Sequence, residues 1–165
     1  MPSKGFIVPG SIWDKRFRDL NDDSKIIMLY VWTQPMRTTE GIWDFRVHYA
    51  AADTKRDESS VKSALRELED AGFILWDAEH EVVLDLTALG LMKIRNGRDR
   101  VTGEIKRDKR IPKALAILEG FADTPLLGRF LELAEAEAPD LARAMRDHFA
   151  ALDDNVTSLP RRKAL

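Results

Sequence analysis

The 165-residue sequence predicts a mainly helical α+β fold with one small β-hairpin, followed by a short α-helical C-terminal part. Three observations predict it. Apolar residues recur at helical spacing, most clearly at Val61, Leu65 and Leu68 with Ala64 beside them. Directly after Gly72 the period changes, and Phe73-Ile74-Leu75-Trp76 and Val82-Val83-Leu84-Asp85-Leu86 are rich in strand formers. Beyond the middle of the chain, Pro112, Pro125 and Pro139 each open a stretch with one apolar face.

Taken in order, Trp13, Phe17 and Leu20 mark one face of a short amphipathic helix. Asn21-Asp22-Asp23-Ser24 offers several capping residues before a helix from about Ser24 to Thr33, where Ile27, Tyr30 and Val31 keep helical spacing. Pro35 and the polar residues 37–41 break it. Gly41-Ile42-Trp43-Asp44-Phe45 reads as a short strand, and residues 46–52 as two turns of alanine-rich helix. After the polar turn 53–57 comes the clearest helix, ESSVKSALRELEDAG, with Asp57 as N-cap, Glu58 at the positive helix end and Gly72 just past its C-terminus. The strands 73–76 and 82–86 flank the polar turn Asp77-Ala78-Glu79-His80-Glu81, a hairpin signal. Helices then start at Pro112, at Pro125 and at Pro139. The expected organisation is a first domain over 1–92, a basic linker over 93–110, a helical region over 111–152 and a flexible tail over 153–165.

Composition bounds the chemistry. At 44% apolar and 33% charged residues the chain can bury a core and keep a polar surface. The absence of cysteine excludes disulfides, thiolate metal sites and a Cys nucleophile. The segment MPSKGFIVPGSIW lacks the apolar core of a signal peptide, and no run approaches the roughly 18 apolar residues that a membrane span needs. The expectation is a soluble, cytoplasmic protein with no membrane partner. His48, His80 and His148 stand far apart and in no ligand spacing, so neither a metal nor another cofactor is expected. Neither GxxxxGK[ST] nor GxGxxG occurs, and the abundant carboxylates fall on polar helix faces, which argues against an enzyme.

Charge is distributed unevenly. The chain has 26 Lys and Arg against 28 Asp and Glu, yet KIRNGRDRVTGEIKRDKRIPK, residues 93–113, holds nine cations and three acids. A Lys/Arg segment of this kind gains affinity for nucleic acid by releasing the counterions of each phosphate it neutralises. Lys93, Arg95, Arg98, Arg100, Lys106, Arg107, Lys109, Arg110 and Lys113 are its candidate phosphate contacts. The alternative is a solvated hinge.

Helix, short strand, helix, turn, helix and two-stranded hairpin, in that order over residues 21–86, resemble a winged helix-turn-helix domain. The stretch VKSALRELEDAGFILWD carries the likeness, since a Leu-Glu-x-x-Gly-hydrophobic pattern ends the third helix of many such domains and begins the wing. With GSIWDKRFRDLNDDSKIIMLYVWTQP before it, then EGIWDF, and later TPLLGRFLELA, residues 5–135 are similar to phage-encoded replication proteins of the replisome-organiser and helicase-loader type. The resemblance implies a DNA-binding protein in replication initiation, with double-stranded DNA, a replication protein such as a helicase and a second copy of the chain as partners. It also implies a recognition helix whose outer face, Ser59, Ser60, Lys62, Ser63 and Arg66, follows Lys55 and Arg56 in the turn and reaches DNA. The same residues also suit an ordinary solvated helix face. Asp77, Glu79 and Glu81 make the wing acidic, a departure from the phosphate-binding pattern. Two alternatives therefore stay open: a winged-helix module that binds protein rather than DNA, and a transcriptional regulator.

Overall fold

A computed structural model of the chain describes residues 13–158, in which eight helices and five short strands follow one another. Helix α1 (Lys15–Asp19) is capped by Asp14, whose carboxylate accepts the Phe17 N–H at 3.0 Å. Helix α2 (Asp22–Thr33) is capped by Asn21, which accepts the Ser24 N–H at 2.8 Å. Of the capping residues on offer the first is used, so α2 gains two residues and places Asp22 and Asp23 at its positive end. Phe17 packs against Trp32 and Phe73, with ring centroids 5.8 and 6.1 Å away. Strand β1 (Ile42–Asp44) leads into α3 (Val47–Thr54), a three-residue turn and α4 (Glu58–Asp70).

Helix α4 ends as its sequence predicts. Gly72 takes φ +74°, its N–H reaches Glu69 O at 2.9 Å, and the Phe73 N–H reaches Leu68 O at 3.0 Å, which satisfies the last carbonyls. The chain turns at once into β2 (Ile74–Asp77) and returns as β3 (Val82–Asp85). All pairings are antiparallel and the order is β1-β3-β2, with Trp43 opposite Val83 and Val83 opposite Trp76.

Every residue of β3 is buried, because this sheet has a helical layer on each face. Trp43, Ile74 and Val83 point toward α1–α4 and join Phe17, Ile27, Val31, Leu65 and Leu68. Ile42, Val82 and Leu84 point the other way, into a second core built by α5 (Ala88–Met92), α6 (Arg110–Glu119), α7 (Leu126–Glu137) and α8 (Pro139–Ser158). Ile94 and Ile111, at the two ends of the basic segment, are buried in that same core. The expected division at 92/93 and 110/111 therefore does not divide the core: the C-terminal helices roof the second face of the sheet.

Smaller differences have local causes. Helix α5 is not foreseen from the sequence because its five residues follow a strand directly and lack a side-chain cap. Helix α6 begins at Arg110, so Pro112 is its third residue, where a missing N–H still costs nothing. Helix α8 continues to Ser158, past the expected start of the tail at 153, and residues 159–165 lie outside the described residues, as does the N-terminal stretch 1–12. No helix among the described residues is long and apolar enough to cross a membrane.

Candidate nucleic-acid interface

Two surfaces carry the cations that the sequence singles out. The first is the outer face of α4. Lys55 closes α3 in the left-handed conformation (φ +58°), and Asp57 begins α4 by accepting the Ser60 N–H at 3.0 Å. The same carboxylate takes the Ser59 hydroxyl at 2.5 Å and the Ser60 hydroxyl at 2.7 Å, and these bonds hold it well below the usual carboxylate range. Both serine hydroxyls are thus turned back onto the helix cap. Arg56 is drawn to Asp23 of α2, and Lys62 lies 3.8 Å from Glu58. Lys55, Ser63 and Arg66 remain exposed without an ion pair among the described residues.

Between α3, α4 and the β2–β3 turn runs a groove of about 480 Å³, lined by His48, Lys62 and Arg66 and by Glu58, Glu79 and Glu81. The acidity of the turn is partly spent internally. Asp77 accepts the Glu79 and His80 N–H groups, lies 2.6 Å from His80 Nδ1 and takes the Thr124 hydroxyl at 2.6 Å, while Glu81 pairs with Arg46. These contacts fasten the turn to the α6–α7 loop. They leave the groove with acids and bases in near balance, a poor surface for a polyanion.

The second surface is the basic segment, and it is folded. Strands β4 (Gly97–Arg98) and β5 (Ile105–Lys106) pair antiparallel, Gly97 opposite Lys106 and Arg98 opposite Ile105. The turn between them is fixed by Asp99, whose carboxylate accepts the Val101 and Thr102 N–H groups at 2.8 and 3.0 Å. Gly103 supplies the positive φ, +72°, that closes the turn. No residue from 97 to 107 is buried, so the hairpin stands out from the body.

Its base is braced. The Asn96 N–H donates to Asp140 on α8 at 2.9 Å, and Asn96 Oδ1 accepts the Asp108 N–H at 3.0 Å. The Arg110 guanidinium grips Asp108 through Nε and Nη2 and donates to the carbonyls of Met92 and Lys93 at 2.8 and 3.2 Å. That guanidinium holds the Asp108 carboxyl at about 2. Arg110, expected as a phosphate contact, ties the hairpin's two ends together.

Register sorts the remaining charge. Arg98 and Ile105 face each other across the strands and so share one face of the ribbon. Asp99 and Lys106 belong to the other face, where they pair at 3.6 Å. Lys93, Arg95, Arg98, Arg100, Arg107, Lys109 and Lys113 are all exposed and form no ion pair with a described carboxylate. The structure therefore gathers the cations of 93–113 on a projecting hairpin and its base. It does not bring them to α4, which lies in the helical layer on the opposite face of the sheet.

The residues that shape this site, Asn96, Asp99, Thr102 and Asp108, are absent from the sequence-based candidates. A signal for them exists: Asp99 and Gly103 bracket a turn between Gly97-Arg98 and Ile105-Lys106, although strands of two residues carry too little periodicity to stand out. Comparison with protein-family models, with curated proteins and with solved structures gives no match to this chain.

Proposed function

We propose that this protein binds duplex DNA through the basic hairpin and its base, and that it acts in phage-type replication initiation, by recognising an origin or recruiting a helicase. The observation that carries the binding step is the sorting of charge on the hairpin. Asp99 is engaged by the turn and by Lys106, so the one acid left without a partner on the hairpin, Glu104, is outnumbered by Arg98, Arg100 and Arg107, which pair with no described carboxylate. The role in replication rests on the likeness of the element order to winged helix-turn-helix replication proteins, and an antiparallel sheet of order β1-β3-β2, with β1 before α3 and β2 and β3 directly after α4, supports that likeness. In this reading the β2–β3 turn is the wing, but it is fastened to the α6–α7 loop, and the hairpin after it takes over the phosphate-binding role.

A second reading has its own observation. The groove beside α4 mixes Glu58, Glu79 and Glu81 with Lys62 and Arg66, which suits a protein partner better than a phosphate backbone. A DNA-binding hairpin and a protein-binding α4 are compatible, and a helicase recruiter needs both.

The test is a salt titration of binding to labelled duplex. Affinity is expected to fall steeply as salt rises. The variant Arg98→Gln/Arg100→Gln/Arg107→Gln should flatten the slope of log K against log salt by about 0.9 for each phosphate that the variant no longer neutralises. Arg66→Ala should leave that slope unchanged. Absence of binding at low salt ends the proposal.

A further inference from the structure

The hairpin carries two apolar side chains that no described residue covers. Val101, at the turn, is 94% exposed, and Ile105 is 70% exposed. Single exposed apolar residues are ordinary. Here, however, both apolar side chains of one projecting, cationic element face water. The turn that presents Val101 is also stiff: two N–H bonds to Asp99, the Gly103 N–H to Asp99 O at 3.1 Å and the Glu104 N–H to the Thr102 hydroxyl at 3.3 Å hold it in one shape. A preformed element loses little entropy when it binds.

We infer that the hairpin enters the major groove of duplex DNA, where Val101 and Ile105 lie against the C5-methyl groups of thymine. This rests on the reading of the hairpin as a DNA contact and adds what its apolar residues recognise. Charge complementarity selects the occupant, because the apolar pair is set among Arg98, Arg100 and Arg107, which have no acidic partner among the described residues. Dimensions select the groove. Paired strands lie about 4.8 Å apart, and side chains widen such a ribbon to roughly 10 Å, which fits a major groove about 12 Å wide and not a minor groove about 6 Å wide. The thymine methyl is the apolar group exposed on base edges there, and it is absent from the minor groove. A single strand is disfavoured because residues 93–113 contain no aromatic ring on which a base could stack.

The experiment measures fluorescence anisotropy at low salt with three duplexes of equal length: one rich in A·T, the same duplex with uracil in place of thymine, and one rich in G·C. The wild-type chain is expected to bind the thymine duplex more tightly than the uracil duplex by about fourfold for each methyl covered. The variant Val101→Ser/Ile105→Ser is expected to bind both alike while keeping the wild-type salt slope, which separates apolar contact from phosphate contact. Equal wild-type affinity for thymine and uracil duplexes overturns the inference and leaves phosphate binding by the hairpin standing. Absence of any duplex binding overturns both. Binding to phosphatidylserine vesicles that excess duplex does not displace would assign the apolar pair to a lipid surface, and a serine-sensitive self-association in sedimentation would assign it to a second copy; either result overturns the inference.

Discussion

A side chain at position 41 has nowhere to go. Gly41 sits at φ +90°, and a Cβ there would lie 2.3 Å from the Ala88 Cβ and 3.2 Å from Asp85 O, where α5 crosses the end of the sheet. Its own carbonyl accepts the Asp85 N–H at 2.7 Å, so the strand cannot retreat. Gly41→Ala is expected to destabilise the fold by about 2–4 kcal/mol in urea unfolding, from overpacking and backbone strain together. Adding Ala88→Gly should recover the overpacking share and leave the backbone share; if the two changes simply add, the clash is not the cause. Beside this site Arg37 and Asp85 pair at 3.0 Å with side chains only 5% and 0% exposed, and the Thr87 N–H and hydroxyl complete the Asp85 carboxylate. Charges this deeply buried are tolerated only when paired and hydrogen-bonded. Glu67 makes the same point about context. On the sequence it is one carboxylate among many on a polar helix face, yet it accepts the Asn21 N–H at 3.1 Å and the Ser24 hydroxyl at 2.6 Å, and so joins α4 to the start of α2. No local pattern reveals a bond between residues 43 positions apart.

Among the elements, α4 was legible almost completely and the basic hairpin hardly at all. The N-cap Asp57, the stripe Val61, Leu65 and Leu68, and the terminating Gly72 are local signals, and each appears where the sequence puts it. The hairpin 97–106 depends on a brace that local patterns do not contain: Asp108 and Arg110 come after it in sequence, and Asp140 lies on α8. This brace has a pH signature. Arg110 holds the Asp108 carboxyl at about 2, below its ordinary 3.8, so the pair contributes stability that is present above pH 3.8 and is lost as pH falls through 2. Asp108→Asn is therefore expected to melt below the wild-type chain at pH 6, with the gap closing as pH is lowered toward 2. Other carboxylates titrate alike in both chains and cancel in the difference. A gap of constant size across that range would mean that the Asp108 charge does not support the hairpin.

Across the described residues, two helical layers cover the two faces of one three-stranded sheet. Truncation after residue 92 would bare Ile42, Val82 and Leu84, which the C-terminal helices cover. The fragment 1–92 is expected to bind ANS and to unfold without a sharp transition, whereas the full chain unfolds cooperatively; a sharply melting fragment with dispersed amide resonances would show that the first layer stands alone. The run Val82-Val83-Leu84 already hinted at this, since a strand apolar at successive positions is buried on both faces. Taken by itself it is only a good strand, because periodicity registers which residues avoid water and not what covers them. The sequence alone determined the helices other than α5, the β2–β3 hairpin, the two ends of α4 and the uneven charge, all of which depend on neighbours a few residues apart. Only the tertiary structure decided that the sheet has two roofs, that Arg110 braces the hairpin, and that the cations of 93–113 stand on a hairpin and its base. Those outcomes depend on contacts between residues distant along the chain, and such contacts form only when the whole core closes.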